Sequence, residues 1–135
     1  MRIQNLTWQQ TIDIRHKVLW PNKDPSFCKV EGDETAIHYG ANVKGNIVCV
    51  ASLYINAEKV RLRKFATVEG FQKQGIGTAM IEHMLAESRQ IPGVQVFWFD
   101  ARETAIGFYK RFGFKVEGER FYKSNIADFK MSQFF

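Results

Sequence analysis

The apolar positions along the chain change period several times, and each change marks an element. Residues 1–6, "MRIQNL", read as a first strand. From Thr7 the spacing turns helical. Trp8, Ile12, Arg15 and Leu19 recur along "TWQQTIDIRHKVLW", with Thr7 as N-cap and Pro21 as the stop. Residues 21–34, "PNKDPSFCKVEGDE", carry two prolines and a glycine and read as a loop. "AIHYGANV" and "IVCVASLYI" are strand-like runs joined by "KGN", which predicts a hairpin. "KVRLRKFATV" alternates, with Val60, Leu62 and Lys64 on one side and Arg61, Arg63 and Phe65 on the other. It is the third strand of a meander.

A second helix is predicted after "QGIG". Ile76, Met80, Ile81, Met84, Leu85 and Ile91 share one half-turn of the wheel, and Pro92-Gly93 ends it. "VQVFWFD" is an apolar strand, expected to be central and covered on both faces. "ETAIGFYKRF" predicts a further helix with Ala105, Phe108, Tyr109 and Phe112 on one stripe and Gly113 just past its end. Asp100 and Glu103 have capping-box spacing before it. "FKVEGERFYKS" and "IADFKMSQFF" form a closing hairpin. The order predicts a mixed α/β sheet with helices on both faces, in one domain over residues 1–135.

Composition narrows the function classes. Apolar residues make up 45% and charged residues 24%, the balance of a globular chain rather than a disordered one. No apolar run approaches the roughly 18 residues of a membrane span, and "MRIQNLTWQQ" lacks the apolar block of a signal peptide. A cytoplasmic protein that does not engage membrane is expected. Cys28 and Cys49 lie in separate segments without a CxxC, so neither a metal site nor a disulfide framework is expected. Cys49 reads as a buried small hydrophobe. The net charge of +5 suits an anionic partner. Nucleic acid is disfavoured, because no recognised module is present and the Arg61, Arg63 and Lys64 cluster alternates as a strand does.

The run "FQKQGIGTAM" is the chemically pointed one. Each glycine in a helix interior costs about 1 kcal/mol against Ala, so two of them at a helix start mark a place where bare backbone is needed. A strand, a glycine turn and a helix N-terminus together make an anion site, because the first helical amides lack internal partners and sit at the positive end of the dipole. Backbone from Lys73 to Thr78 is therefore placed to cradle a pyrophosphate. The spacing is neither that of a P-loop nor that of the dinucleotide-binding fingerprint.

Two longer stretches carry a resemblance. "FATVEGFQKQGIGTAMIEHML" resembles motif A of the GNAT N-acetyltransferases, with Gln72, Gly75 and Gly77 at its defining positions. "ARETAIGFYKRFGF" resembles their motif B at Ala105, Phe108, Tyr109, Gly113 and Phe114. The chain is thus similar to a small bacterial single-domain member, most clearly from about residue 47 to 115. The resemblance implies the GNAT (acyl-CoA N-acyltransferase) fold: a mixed, mostly antiparallel sheet with two splayed parallel strands and helices on both faces. It also implies acetyl-CoA as acyl donor, a small-molecule or peptide amine as acceptor, and transfer by direct attack. A non-catalytic acyl-CoA-binding module is the alternative.

By the same resemblance, backbone groups of Phe65, Ala66 and Thr67 pair with the pantetheine arm. The loop of Gln72, Lys73, Gln74, Gly75, Ile76, Gly77 and Thr78 takes the pyrophosphate, and Phe108 lies beside the cofactor. Where many members have a Pro this chain has Glu69. Where many have an Asn on the pantetheine it has Arg102, which still offers hydrogen bonds to cofactor or substrate. Tyr109 is the implied acid, protonating the departing thiolate, with packing beside Phe108 and Phe112 as its alternative role. The general base is not fixed by either motif. Glu31 and His38 are preferred, while Asp33, Glu69 and Asp100, with Arg15 and His16 on the first helix, stay open. His38 in a satisfied core position and Asp100 as a helix cap are the competing roles. A homodimer is expected if the Phe-rich tail "MSQFF" is not buried in the monomer.

Overall fold

The computed structural model describes every residue, Met1–Phe135. The elements run β1 (Arg2–Leu6), α1 (Trp8–Ile14), β2 (Ile37–Val43), β3 (Asn46–Asn56), β4 (Lys59–Thr67), α2 (Ile76–Arg89), β5 (Val96–Arg102), α3 (Ile106–Lys110), β6 (Lys115–Lys123) and β7 (Ile126–Phe134). The strands pair in the order β1-β2-β3-β4-β5-β7-β6. One ladder is parallel, Lys59–Arg61 of β4 with Val96–Trp98 of β5. It covers three of the nine residues of β4, and Phe65, Ala66 and Thr67 lie beyond it. The chain divides into two compact units: residues 1–54 with 62–84, and residues 55–61 with 85–135.

In the first unit Thr7 caps α1 as its sequence predicts. Its hydroxyl accepts from the Gln10 amide at 3.3 Å, and the Gln10 side chain accepts from the Thr7 amide at 2.8 Å. The helix then widens into a π-turn over Arg15–Leu19. Its buried side is Thr11, Ile14 and Arg15, while Trp8 and Ile12 are only half-buried. The two polar members are tolerated there because each finds a partner. Thr11 donates to the Trp8 carbonyl at 2.6 Å, and Arg15 is paired as described below. Between β2 and β3, Lys44 (φ 52°) and Gly45 (φ 87°) form the two-residue, left-handed turn that suits the strand twist. Leu6, Ile14, Val50 and Ala66 form a core cluster with Val18, Leu19, Ile47 and Val68 against it. At about 25 cal/mol per Å² of apolar area, the buried Leu6, Ile14 and Val50 side chains each contribute roughly 1.5–3 kcal/mol.

Four expectations change. The helix α2 stops at Arg89, and Ile91 lies outside it. The Gln90 and Ile91 amides close instead on the Glu87 and Ser88 carbonyls, and Ser88 takes the buried place. The strand β5 is covered along its whole length on one face only. Phe97, Phe99 and Ala101 are buried, while Trp98 and Asp100 on the other face are half-exposed. The Asp100–Glu103 capping box does not form. Residues Glu103–Ala105 make a short 3-10 turn with Arg102 before it and no side-chain cap. Asp100 still belongs to the strand and pairs with Arg61 and Lys123 at 3.1 and 2.8 Å. Finally, Lys64 sits at φ 57°, a left-handed residue that interrupts the alternation of β4.

The core of the second unit is aromatic. Phe114 lies 5.4 Å from Phe97 and 4.8 Å from Phe99 between ring centroids. The expected closing hairpin is β6–β7, turned by Ser124 and Asn125, both at positive φ. The tail is not buried, with Phe134 72% and Phe135 42% exposed. No helix is long and apolar enough to cross a membrane.

Candidate active site

The glycine loop is built by three left-handed residues. Gly70, Lys73 and Gly75 have φ of 94°, 60° and 81°. Nothing lies within 4 Å of where a Cβ on Gly70 or Gly75 would stand, so those glycines are needed for their backbone conformation and not for packing room. Lys73 adopts the same conformation at a cost of about 1–2 kcal/mol. Two side chains hold the loop in shape. Gln72 donates to the Thr67 carbonyl at 3.2 Å, and Gln74 donates to the Gly70 carbonyl at 2.9 Å. The first helical bond runs from the Ala79 amide to the Gly75 carbonyl, so the amides of Ile76, Gly77 and Thr78 precede any helical acceptor. No acid occupies the first turn of α2. Gln72 to Gly75 are exposed, and Gly77 and Thr78 are half-buried. The arrangement suits an anion on the backbone.

Upstream of the loop, Ala66 belongs to the core cluster, Phe65 is half-buried, and the Thr67 hydroxyl reaches the Cys49 sulfur at 3.3 Å. Burial pushes the Cys49 thiol up to about 11, the Thr67 bond only partly offsetting it. Burial likewise raises Cys28. Both thiols are free and buried.

In the second unit Tyr109 packs on Phe99 at 4.4 Å and on Phe108 at 5.1 Å between centroids, and Phe108 also meets Phe112. Its ring is therefore fixed by three aromatic neighbours, Phe114 being the third at 6.3 Å. Arg102 ends β5, exposed, directly opposite Asp128 of β7.

The base candidates separate sharply. Glu31, beside Gly32 in the turn before β2, and Glu69, beside the glycine loop, are exposed. His16 hydrogen-bonds the Lys23 carbonyl at 2.7 Å. Arg15, Asp33 and His38 come together in one buried network that the apolar pattern did not reveal. Arg15 and Asp33 are fully buried and paired, Nη1 to Oδ2 at 2.8 Å and Nη2 to Oδ1 at 3.1 Å. Arg15 further donates to the Cys28 carbonyl at 3.1 Å, Ser52 at 2.9 Å and Tyr54 at 3.2 Å. Asp33 also accepts from the Tyr54 hydroxyl at 2.5 Å and the Val30 amide at 2.7 Å. His38 uses both ring nitrogens, on Ser52 at 2.6 Å and on the Asp33 carbonyl at 2.8 Å. Burial pushes the Asp33 carboxyl up, but the bonds from Arg15, Tyr54 and the Val30 amide outweigh it and leave the group below its ordinary value. Burial and the bond to Asp33 push the Tyr54 hydroxyl up to about 12. The network pins the π-turn, the loop before β2 and the strands β2 and β3 to one another.

The basic residues of β4 are also accounted for. Arg61 lies over Trp98 at 4.5 Å, Arg63 over Tyr54 at 5.8 Å and Lys64 over Trp20 at 4.3 Å. No three His, Cys, Asp or Glu side chains converge to hold a metal. Asp128 was missed by pattern reading. It is 6% exposed, and its Oδ1 is buried without a hydrogen-bond partner.

Known proteins resemble this chain in sequence and in fold. The model of the acetyltransferase (GNAT) domain matches residues 25–133. The chain is 35% identical to the uncharacterized N-acetyltransferase YitI of Bacillus subtilis, covering 90% of this chain and 87% of that one. Escherichia coli ElaA superposes with a TM-score of 0.84 at 16% identity, over 98% of both chains. A GNAT family acetyltransferase of Elizabethkingia anophelis, solved with acetyl-CoA bound, superposes with a TM-score of 0.76 at 16% identity, over 99% of this chain and 97% of that one. With the expected fold in place and the motif A loop and motif B helix formed where the sequence puts them, the chain belongs to the GNAT family of N-acetyltransferases.

Proposed function

We propose that this acetyltransferase carries the acetyl group of acetyl-CoA to a primary amine by direct attack of the amine nitrogen on the thioester. The carrying observation is the loop Gly70–Gly75, whose three left-handed residues present backbone at the start of a helix with no acid in its first turn. In this reading the pyrophosphate lies on Gln72 to Thr78, and the backbone of Phe65 to Thr67 pairs with the pantetheine as an added strand does. Arg102 and Phe108 add cofactor contacts. The donor assignment draws support from the fold shared with the acetyl-CoA-bound Elizabethkingia protein.

Tyr109 is assigned as the acid. A phenol of pKa about 10 is protonated at neutral pH and matches a thiolate whose conjugate acid has pKa about 8.5. Glu31 is the better-placed of the two preferred bases, because its carboxylate is exposed while both His38 nitrogens are engaged. The acceptor is a small-molecule or peptide amine. The exposed Phe134 and Phe135 support a homodimer, which light scattering tests directly.

Thermal unfolding with acetyl-CoA tests the donor site. Ligand at about a hundred times its Kd adds roughly 2.7 kcal/mol to the folded state. Wild type is expected to shift and Gly75→Trp to fold without shifting. Equal shifts in both proteins would remove the loop from the site, and no shift in wild type would remove acetyl-CoA. Binding without transfer to any amine would leave a non-catalytic acyl-CoA module.

A further inference from the structure

One peptide of the first unit shows which edge of β4 is open. The Val68 amide donates to the Val48 carbonyl of β3 at 2.8 Å. The peptide is trans and planar, so the Thr67 carbonyl points to the opposite edge. There its partner is the Gln72 side chain at 3.2 Å. With the pyrophosphate on Gln72 to Thr78, an arm running along this edge passes Thr67 first and Phe65 second. The thioester then stands at the Phe65 end, remote from the phosphates. Arg63 is two residues further back, roughly 7 Å along a strand. Its guanidinium lies over the Tyr54 ring at 5.8 Å. The Tyr54 hydroxyl in turn donates to Asp33 at 2.5 Å and accepts from Arg15 at 3.2 Å, which locks the ring. A Cβ on Gly32 would stand 3.6 Å from the same ring, so the turn that carries Glu31 lies against it too. Arg63 and the Glu31 turn thus meet around one fixed aromatic side chain.

Arg63 is half-buried. Its five N–H donors meet no acceptor of the protein, and the contact it makes is with an aromatic ring. The acids around Tyr54 are committed elsewhere. Asp33 is paired with Arg15, and Glu34 with Lys29 at 3.1 Å. Arg61, two residues earlier on the strand, has Asp100, and Arg63 has no such acid. A guanidinium laid on a locked ring is a preorganised fork, and its paired N–H groups match the two oxygens of a carboxylate. The phosphates of the cofactor are at the far end of the arm, so the anion that fits here belongs to the acceptor. We infer that Arg63 binds a carboxylate of the acceptor, so that the substrate class is an amino acid, with its amine a few bonds from that carboxylate. The inference rests on the acetyltransferase reading for where the thioester stands, while the binding of the carboxylate is measured apart from transfer.

The test is acetyl transfer to the standard amino acids and to their carboxamides by wild type, Arg63→Gln and Arg63→Lys. Each pair of probes differs only at the carboxylate. The carboxylate makes the neighbouring amine the more basic of the two, so amine reactivity alone favours the carboxamide, and a preference for the acid reports binding. Wild type is expected to prefer at least one amino acid over its carboxamide in kcat/KM. That ratio is expected to fall about tenfold or more in Arg63→Gln. It should recover in part in Arg63→Lys, which keeps the charge and loses the fork. An unchanged acetyl-CoA thermal shift shows that the variants fold. A ratio that survives in Arg63→Gln, or turnover that favours no amino acid over its carboxamide, would overturn the assignment. Two variants that both fail to fold would make Arg63 a structural residue and overturn it as well. Thermal unfolding with the same probes reads binding alone. Should no amine be acetylated, an amino acid that stabilises wild type more than its carboxamide does, but not Arg63→Gln, would strike the acetyltransferase reading and leave Arg63 in place. No such preference would remove Arg63 too.

Discussion

Replacing Asp33 by Asn removes one charge from a pair that is buried on both sides. Asn preserves the shape and can still accept from the Val30 amide or the Tyr54 hydroxyl, but it turns an amide donor toward the Arg15 guanidinium. Arg15, with no exposed side-chain surface, then keeps its charge without compensation. Breaking such a pair costs about 3–5 kcal/mol, a large part of the roughly 5–15 kcal/mol that holds a domain. At about 2.1 cal/mol/K per residue, a chain of 135 residues loses on the order of 10–18 °C in Tm. Urea unfolding followed by circular dichroism measures the loss, and a cycle with Arg15→Met isolates the pair. The double variant should recover about 1–3 kcal/mol relative to additivity. A cost below about 1 kcal/mol for Asp33→Asn, or no coupling in the cycle, refutes the reasoning. The pH dependence follows from the same geometry. Burial raises the Asp33 carboxyl, yet its hydrogen bonds leave the folded value below the ordinary one. Its contribution is therefore complete above about pH 4 and is lost as pH falls through the lower folded value. The stability gap between wild type and Asp33→Asn should narrow as pH falls below about 4.

Two further outcomes follow from the site. Tyr109→Phe keeps the ring stacked on Phe99 and removes the hydroxyl. It should lower kcat by up to about 10²-fold with the acetyl-CoA thermal shift unchanged, whereas unaltered turnover would make Tyr109 a packing residue. Neither thiol should react with Ellman's reagent in the native protein at pH 8, since both are buried and raised, while two should react after unfolding. Rapid native labelling would contradict the burial of Cys28 or Cys49.

The parts legible in sequence are those governed by neighbours along the chain. Thr7 and Gln10 cap α1 three residues apart, Lys44-Gly45 turns a hairpin, and the stripe from Ile76 to Leu85 buries as written. The glycine loop belongs to this group, because positive φ and helix-start chemistry are local. The motifs at Gln72, Gly75, Gly77 and Tyr109 carried the family for the same reason.

Other assignments needed partners from distant segments. Arg15 reads as one more member of an amphipathic stripe, and only Asp33, Ser52 and Tyr54, arriving from a loop and a strand, make its burial possible. Asp100 has the spacing of a cap, yet Arg61 and Lys123 offer it full charges, and the chain stays extended through Arg102. The second face of β5 starts with Val96 and Trp98 but continues with Asp100 and Arg102 and is half-exposed from Trp98 on, because the apolar run in sequence does not say whether anything covers it. Asp128 sits in an ordinary strand, and nothing local reveals that its carboxylate is left without a partner. Sequence alone determined most of the elements, the glycine loop and the family, since those follow from backbone preference and short-range spacing. Tertiary structure decided which charges are buried and which are paired, because desolvation and Coulomb attraction depend on distance in space and not along the chain.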